Sequence, residues 1–164
     1  YDEVLRKLSP LPVEEGVYVS WENIERMWTS YNWEHPALVG AYGMLPRDGV
    51  DIPTMRRTLA KVHAEWKLGE TWGWDFPMLA MCAARLGDPE RAVEYLLDYP
   101  AFDFDPHGLV GGGRAPFPYF PGNGGLLYAV AMMAAGWDGA PAGDAPGFPE
   151  KGWVVRSEGL RRAL

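Results

Sequence analysis

At 164 residues, 48% hydrophobic and 23% charged, the chain has the length and composition of one packed domain and not of a disordered segment. A net charge of -7 without any block of Lys and Arg argues against nucleic acid and against an anionic membrane as partners, because both are held through clustered cations. No apolar run is long enough to span a bilayer and no signal-peptide pattern is present. The single Cys82 excludes an internal disulfide and reads as a small buried hydrophobe.

The first residue is Tyr, and residues 2–8 (DEVLRKL) read as the last turns of a helix whose start lies upstream, so a piece of a longer protein is expected. After the break at residues 9–12 (SPLP), residues 16–20 (GVYVS) alternate and predict a strand or an extended lead-in. Residues 22–31 place Ile24, Met27, Trp28 and Tyr31 on one face of an amphipathic helix. The segment NWEHP (32–36) leads into residues 37–45 (ALVGAYGML), which carry no charge and predict a helix buried on most sides.

The same order then repeats. Asp51 caps a helix with Pro53 in its first turn, whose stripe is Ile52, Met55, Leu59, Val62 and Trp66. The loop GETWGWDF (69–76) follows, then an apolar helix over 77–86 that stops at Gly87. A third round opens at Asp88 and Pro89 and runs to Tyr99 with Val93, Leu96 and Leu97 facing inward. A long loop then enters an apolar helix from Leu126 to Ala135, expected to be buried all round and closed by Gly136. The chain is thus read as three pairs, each an amphipathic helix followed by an apolar one. Such pairs predict an all-α fold of two concentric layers.

The loops entering the apolar helices are the long ones, and function is expected at their end. They carry Trp33, Glu34 and His35; Trp72, Trp74 and Asp75; and Tyr119 with Asn123. Flat aromatic rings suit apolar C–H faces, and carboxylates with an amide suit hydroxyls, so the rim predicts a sugar site. Asp75 is either a catalytic or hydroxyl-binding carboxylate or the cap of the helix at Pro77. Glu34 and His35 either line the site or cap, and Trp72 and Trp74 either stack on a sugar or belong to the core. Asn123, an amide between glycines at a helix entry, requires a partner. Asp103, Asp105 and His107 lack a second cluster to complete a metal shell and read as a solvated loop. Gly111, Gly112 and Gly113 read as a flexible loop and not a phosphate cradle, and His63 as structural. No metal or cofactor is expected.

These loops resemble the C-terminal half of the catalytic barrel of the six-hairpin glycosidases, the (α/α)6 toroids, and glycoside hydrolase family 95 most closely. Leu11-Pro12 with Trp21 is similar to that family's Leu-Pro lead-in and Trp, and His35 followed by Tyr42-Gly43-Met44-Leu45-Pro46 to its His and Tyr-Gly-Leu-Tyr-Pro run. Gly73-Trp74 with Arg85-Leu86, and Gly122-Asn123-Gly124-Gly125, resemble further motifs in the same order. The resemblance implies a partial toroid of three hairpins over residues 1–139, with residues 140–164 an extension in which 153–156 (WVVR) forms a strand of an appended domain. It also implies a cofactor-free glycosidase acting on an oligosaccharide or polysaccharide through paired carboxylates. Such carboxylates stand roughly 6.5 to 9.5 Å apart in inverting enzymes. The family's general base falls at Pro121, which has no proton to exchange, and its general acid falls upstream of the matched segment. Asp75 and Glu34 are then the best-placed catalytic carboxylates, with His35, Trp33, Trp72, Trp74, Tyr119 and Asn123 against the substrate. The alternative is a non-catalytic sugar-binding or structural helical module. Partners implied are the upstream barrel half of a parent chain, or a second copy.

Overall fold

The computed structural model describes residues 2–164. Its described residues form seven α-helices and one two-stranded sheet, an all-α class as expected. Helix α1 (Asp2–Lys7) exposes Asp2, Glu3, Val4, Arg6 and Lys7, and Lys7 pairs with Glu3 at 2.7 Å. The alternating segment forms a hairpin, β1 (Val13–Glu14) against β2 (Val17–Tyr18). Its turn residues Glu15 and Gly16 both have positive φ, the pairing a two-residue hairpin of this hand requires. Val17, Tyr18 and Val19 are buried, and the Tyr18 N–H donates to Thr58 Oγ1 at 2.8 Å, fastening the hairpin to the next long helix.

The first helix pair is much shorter than its sequence predicts. Of residues 22–31 only α2 (Met27–Ser30) is helical. Asn23 and Arg26 are both left-handed, which breaks the ladder before Met27. Ile24 and Met27 are buried, Trp28 packs edge-on against Trp66, and Tyr31 is exposed against Trp21, so the expected stripe is only half inward. The uncharged segment that follows is a 3-10 turn (Ala37–Val39) running into α3 (Gly40–Gly43).

The second pair and the first helix of the third follow the sequence closely, whereas the last helix begins at Phe120 and not at the expected Leu126. Helix α4 (Ile52–Glu65) is capped by Asp51, whose carboxylate accepts the Thr54 N–H at 2.8 Å, and Met55, Leu59, Val62 and Trp66 are buried. Helix α5 (Asp75–Arg85) is buried at every residue. Helix α6 (Pro89–Leu97) is capped by Asp88, which accepts the Arg91 N–H. Its inward residues are Ala92, Tyr95 and Leu96, whereas Leu97, expected inside, is exposed and Val93 only half-buried.

Helix α5 is the centre of the fold, and α3, α6 and α7 (Phe120–Ala135) all pack on it. Small residues set the close approaches. A Cβ on Gly43 would lie 2.9 Å from the Met78 carbonyl oxygen, and one on Gly125 would lie 3.1 Å from the Pro77 ring. Helix α7 departs from the expected all-round burial. Ala129, Met132 and Met133 are buried, yet Phe120, Leu127, Tyr128 and Val130 are exposed. Among the described residues no helix covers that second face, so an apolar side remains in water.

Residues 140–164 contain neither helix nor strand. Residues 153–156, expected as a strand, have no strand paired with them among the described residues; Trp153 packs on Phe148 instead, and Val154 is exposed. The tail is tied back through Ala163, whose N–H donates to the Gly136 carbonyl, and through Arg85, which donates to the carbonyls of Leu45 and Leu164.

Candidate functional site

The three loops that enter α3, α5 and α7 meet. The first (residues 32–36) is anchored to the end of α4: Asn32 Nδ2 donates to the Glu65 carbonyl at 2.9 Å and Trp66 Nε1 donates to the Glu34 carbonyl at 2.7 Å. The Lys67 N–H closes the attachment on the Asn32 carbonyl. These bonds hold Trp33, Glu34 and His35 against the second loop.

The third loop reaches the second through its glycine triple, which is not the flexible segment the sequence suggests. Gly112 and Gly113 have positive φ, and a Cβ on either would overlap the backbone of Gly73 or of Thr71 and Glu70. Only glycine lets two backbones come this close. Beyond the triple, Arg114 donates to Glu70 at 2.8 Å and lays its guanidinium over the Trp33 ring, 4.1 Å from the centroid. In the sequence, Arg114 is marked only as a lone cation directly after three glycines in the longest loop.

An aromatic array results. Trp33 faces Trp72 at 6.4 Å, the His35 imidazole lies against Trp72 at 4.1 Å between centroids, and Trp74 meets His35 edge-on at 5.3 Å. Behind it sits Asp75, in the first turn of α5 and fully buried. Its Oδ1 is 2.9 Å from His35 Nδ1, and its Oδ2 accepts the Trp72 N–H at 2.9 Å. Asp75 does not cap α5: it is the helix's first residue, the N-cap position is Trp74 with no side-chain cap bond, and its carboxylate turns back to the upstream Trp72 N–H and to His35. Burial pushes its carboxyl up to about 6, against the lowering effects of the Trp72 N–H and of His35, while the charge of nearby Glu34 adds to the rise. Glu34 itself is half-buried and its side chain makes no hydrogen bond among the described residues.

His35 is the part of the pair that reaches solvent, with one third of its side chain exposed. Tyr119 is half-buried just before α7; burial raises its hydroxyl, and the Asp75 charge raises it further. Asn123 is not brought to the array by any contact. Its Nδ2 donates to the Gly108 carbonyl at 2.6 Å, and its buried Oδ1 has no partner among the described residues. It fastens the turn at 105–109 to α7, a turn shaped by Asp105, which accepts the N–H groups of His107 and Leu109. No cluster of three or more His, Cys, Asp or Glu side chains suited to a metal occurs among the described residues, and no helix there is long and apolar enough to cross a membrane.

His63 lies away from the array, between α4 and α6, with Arg91 Nη1 donating to its Nε2 at 2.7 Å. Cys82 is buried as expected, and its thiol is pushed up by that burial.

The fold and site together define a mostly helical chain with an aromatic and acidic rim at one set of loops. No protein family, curated protein or solved structure matches it.

Proposed function

We propose that the chain is half of an (α/α)6 toroid from a carbohydrate-active enzyme, a glycoside hydrolase acting without a cofactor on an oligosaccharide or polysaccharide. The observation that carries this reading is the array of Trp33, Trp72, His35 and Trp74, with two carboxylates beside it, where three helix-entering loops meet. Indole faces bind the apolar side of a pyranose, and polar groups between them fix its hydroxyls. The exposed side of α7 supports the toroid, because a ring of six hairpins cut in half leaves inner helices open at its ends. The remaining hairpins would come from the upstream part of a parent chain, or from a second copy of this one.

Two observations favour a second reading, sugar binding without hydrolysis: Pro121 stands at the position of the family's base, and Asp75 is closed off from solvent. Tryptophan fluorescence titrated with L-fucose, L- and D-galactose, L-rhamnose and plant oligosaccharides tests the sugar reading. Saturable quenching that is lost in Trp72→Ala and Trp74→Ala supports it; no response to any sugar from this chain or from its longer parent sinks it. Release of a free sugar from a matching glycoside then separates hydrolase from binder.

A further inference from the structure

We propose that the proton acceptor of this rim is Nε2 of His35, held as an open lone pair by the buried carboxylate of Asp75, which acts as its positioning residue. The proposal deepens the rim's reading as a ligand site and rests on it.

The geometry at Nδ1 carries the argument. This nitrogen has one in-plane bonding position, and two groups converge on it: Asp75 Oδ1 at 2.9 Å and Trp74 Nε1 at 3.0 Å. The indole N–H can only donate, so it is satisfied only if Nδ1 carries the lone pair and Nε2 the proton. An ionised carboxylate can only accept, so it is satisfied only if Nδ1 carries the proton and Nε2 the lone pair. The charge-assisted bond is the stronger of the two. It also keeps the fully buried Asp75 from losing its second stabilising contact after the Trp72 N–H. Above about pH 6, where Asp75 is ionised, the competition therefore goes to Asp75.

Nε2 is then the free end of the pair. It has no hydrogen-bond partner among the described residues, and one third of the His35 side chain is exposed. Trp72 on one ring face and Trp74 at the edge fix the plane of the imidazole. When a water or ligand hydroxyl gives its proton to Nε2, an N–H bond forms, the O–H electron pair stays on oxygen, and the new imidazolium is neutralised by Asp75. The other charged or titratable groups on this side are Glu34 from the same loop and Tyr119 from the third loop. Arg114 and Glu70 are paired with each other beyond Trp33.

The test needs no ligand. Long-range proton–nitrogen correlation spectra of the chain at pH 8, with the His35 signals identified by their loss in His35→Gln, report which ring nitrogen holds the proton. The expected result is Nδ1–H with unprotonated Nε2, favoured about tenfold, the margin of a charged over a neutral hydrogen bond. Asp75→Asn is expected to reverse it, because the amide N–H donates to Nδ1 and pushes the proton to Nε2. An Nε2–H imidazole in the unaltered chain, or an Asp75→Asn chain with unchanged tautomer, overturns the proposal. Should the variant not fold, the unaltered chain alone decides. Because no sugar is present, a rim that fails to bind sugar leaves this result standing, and a wrong tautomer leaves the sugar titration to be read by itself.

Discussion

The His35 imidazole and the Asp75 carboxylate, 40 positions apart, meet at 2.9 Å, and that contact joins the loop entering α3 to the first turn of α5. One partner is wholly buried and the other one-third exposed. A charge placed at the sealed end is therefore expressed at the open end, which gives the aromatic rim a chemical character that its indoles alone would lack.

The first prediction concerns Asp75 and pH. Its carboxyl is raised from 3.8 to about 6 in the folded chain, so the folded state holds the proton more tightly than the unfolded one. Stability linked to this group is fully present below pH 4 and is lost as pH rises through about 6. The loss corresponds to on the order of 3 kcal/mol, two units at about 1.4 kcal/mol each. Asp75→Asn, an imitation of the protonated form, is expected to match the unaltered chain near pH 4 and to exceed it in thermal stability near pH 8. Melting curves from pH 4 to 8 check this; parallel curves for the two chains would refute the burial argument.

The second concerns the glycine triple. Gly112→Ala and Gly113→Ala place a Cβ onto backbone atoms of Gly73 and Thr71, which cannot move as a side chain could, and do so at positive φ. Each is expected to cost about 2 kcal/mol or more and to open the third loop, seen as faster proteolysis around Arg114. Gly108→Ala is the control: it also has positive φ but has open space around it, so about 1 kcal/mol is expected from strain alone. Equal effects at Gly108 and Gly112 would mean that the packing of loop on loop contributes nothing.

How much of this was legible in the sequence depended on whether the signal was local. Asp51 and Asp88 announced their helices because a cap, a proline in the first turn and an apolar stripe all agree within one stretch of chain. The convergence of Trp33, His35, Trp72 and Asp75 was legible from the order of the helix pairs. What failed was set by tertiary context. The spacing of Ile24, Met27, Trp28 and Tyr31 suits a helix, but left-handed Asn23 and Arg26 intervene and nothing in the pattern marks them. An apolar run such as α7 states that its faces avoid water, not whether a neighbour is present to cover each. The triple glycine resembled a flexible loop because the backbone it touches lies some forty positions away. The full burial of Asp75 was likewise a property of its neighbours.

The third prediction tests the hairpin's attachment. Thr58 is fully buried; its hydroxyl accepts the Tyr18 N–H and donates to the Thr54 carbonyl, both at 2.8 Å. Thr58→Val keeps the shape and leaves a buried backbone N–H without a partner, which is expected to cost about 1 to 3 kcal/mol. Thr58→Ser retains the hydroxyl and loses only a methyl group, about 1 kcal/mol. Denaturant midpoints order the two variants, and a Val variant as stable as the Ser variant would show that the hydroxyl is dispensable.

The fourth prediction uses the two sides of α7, which share one sequence character and differ in surroundings. Leu127 is 73% exposed, whereas Met133 is completely buried against the core. In this chain Leu127→Lys is expected to change stability by no more than about 0.5 kcal/mol, and to reduce self-association by breaking the exposed apolar face. Met133→Ala is expected to cost about 2 to 5 kcal/mol through the cavity it leaves. The comparison also tests the proposed ring. If further hairpins cover α7 in a longer parent or a dimer, Leu127 becomes a core residue there, and burying a lysine in its place becomes strongly destabilising. The same Leu127→Lys substitution is then neutral in the isolated chain and severe in the larger assembly. A substitution that stays neutral in both means that the exposed side of α7 faces water wherever the chain is found, and the half-ring reading would have to be given up.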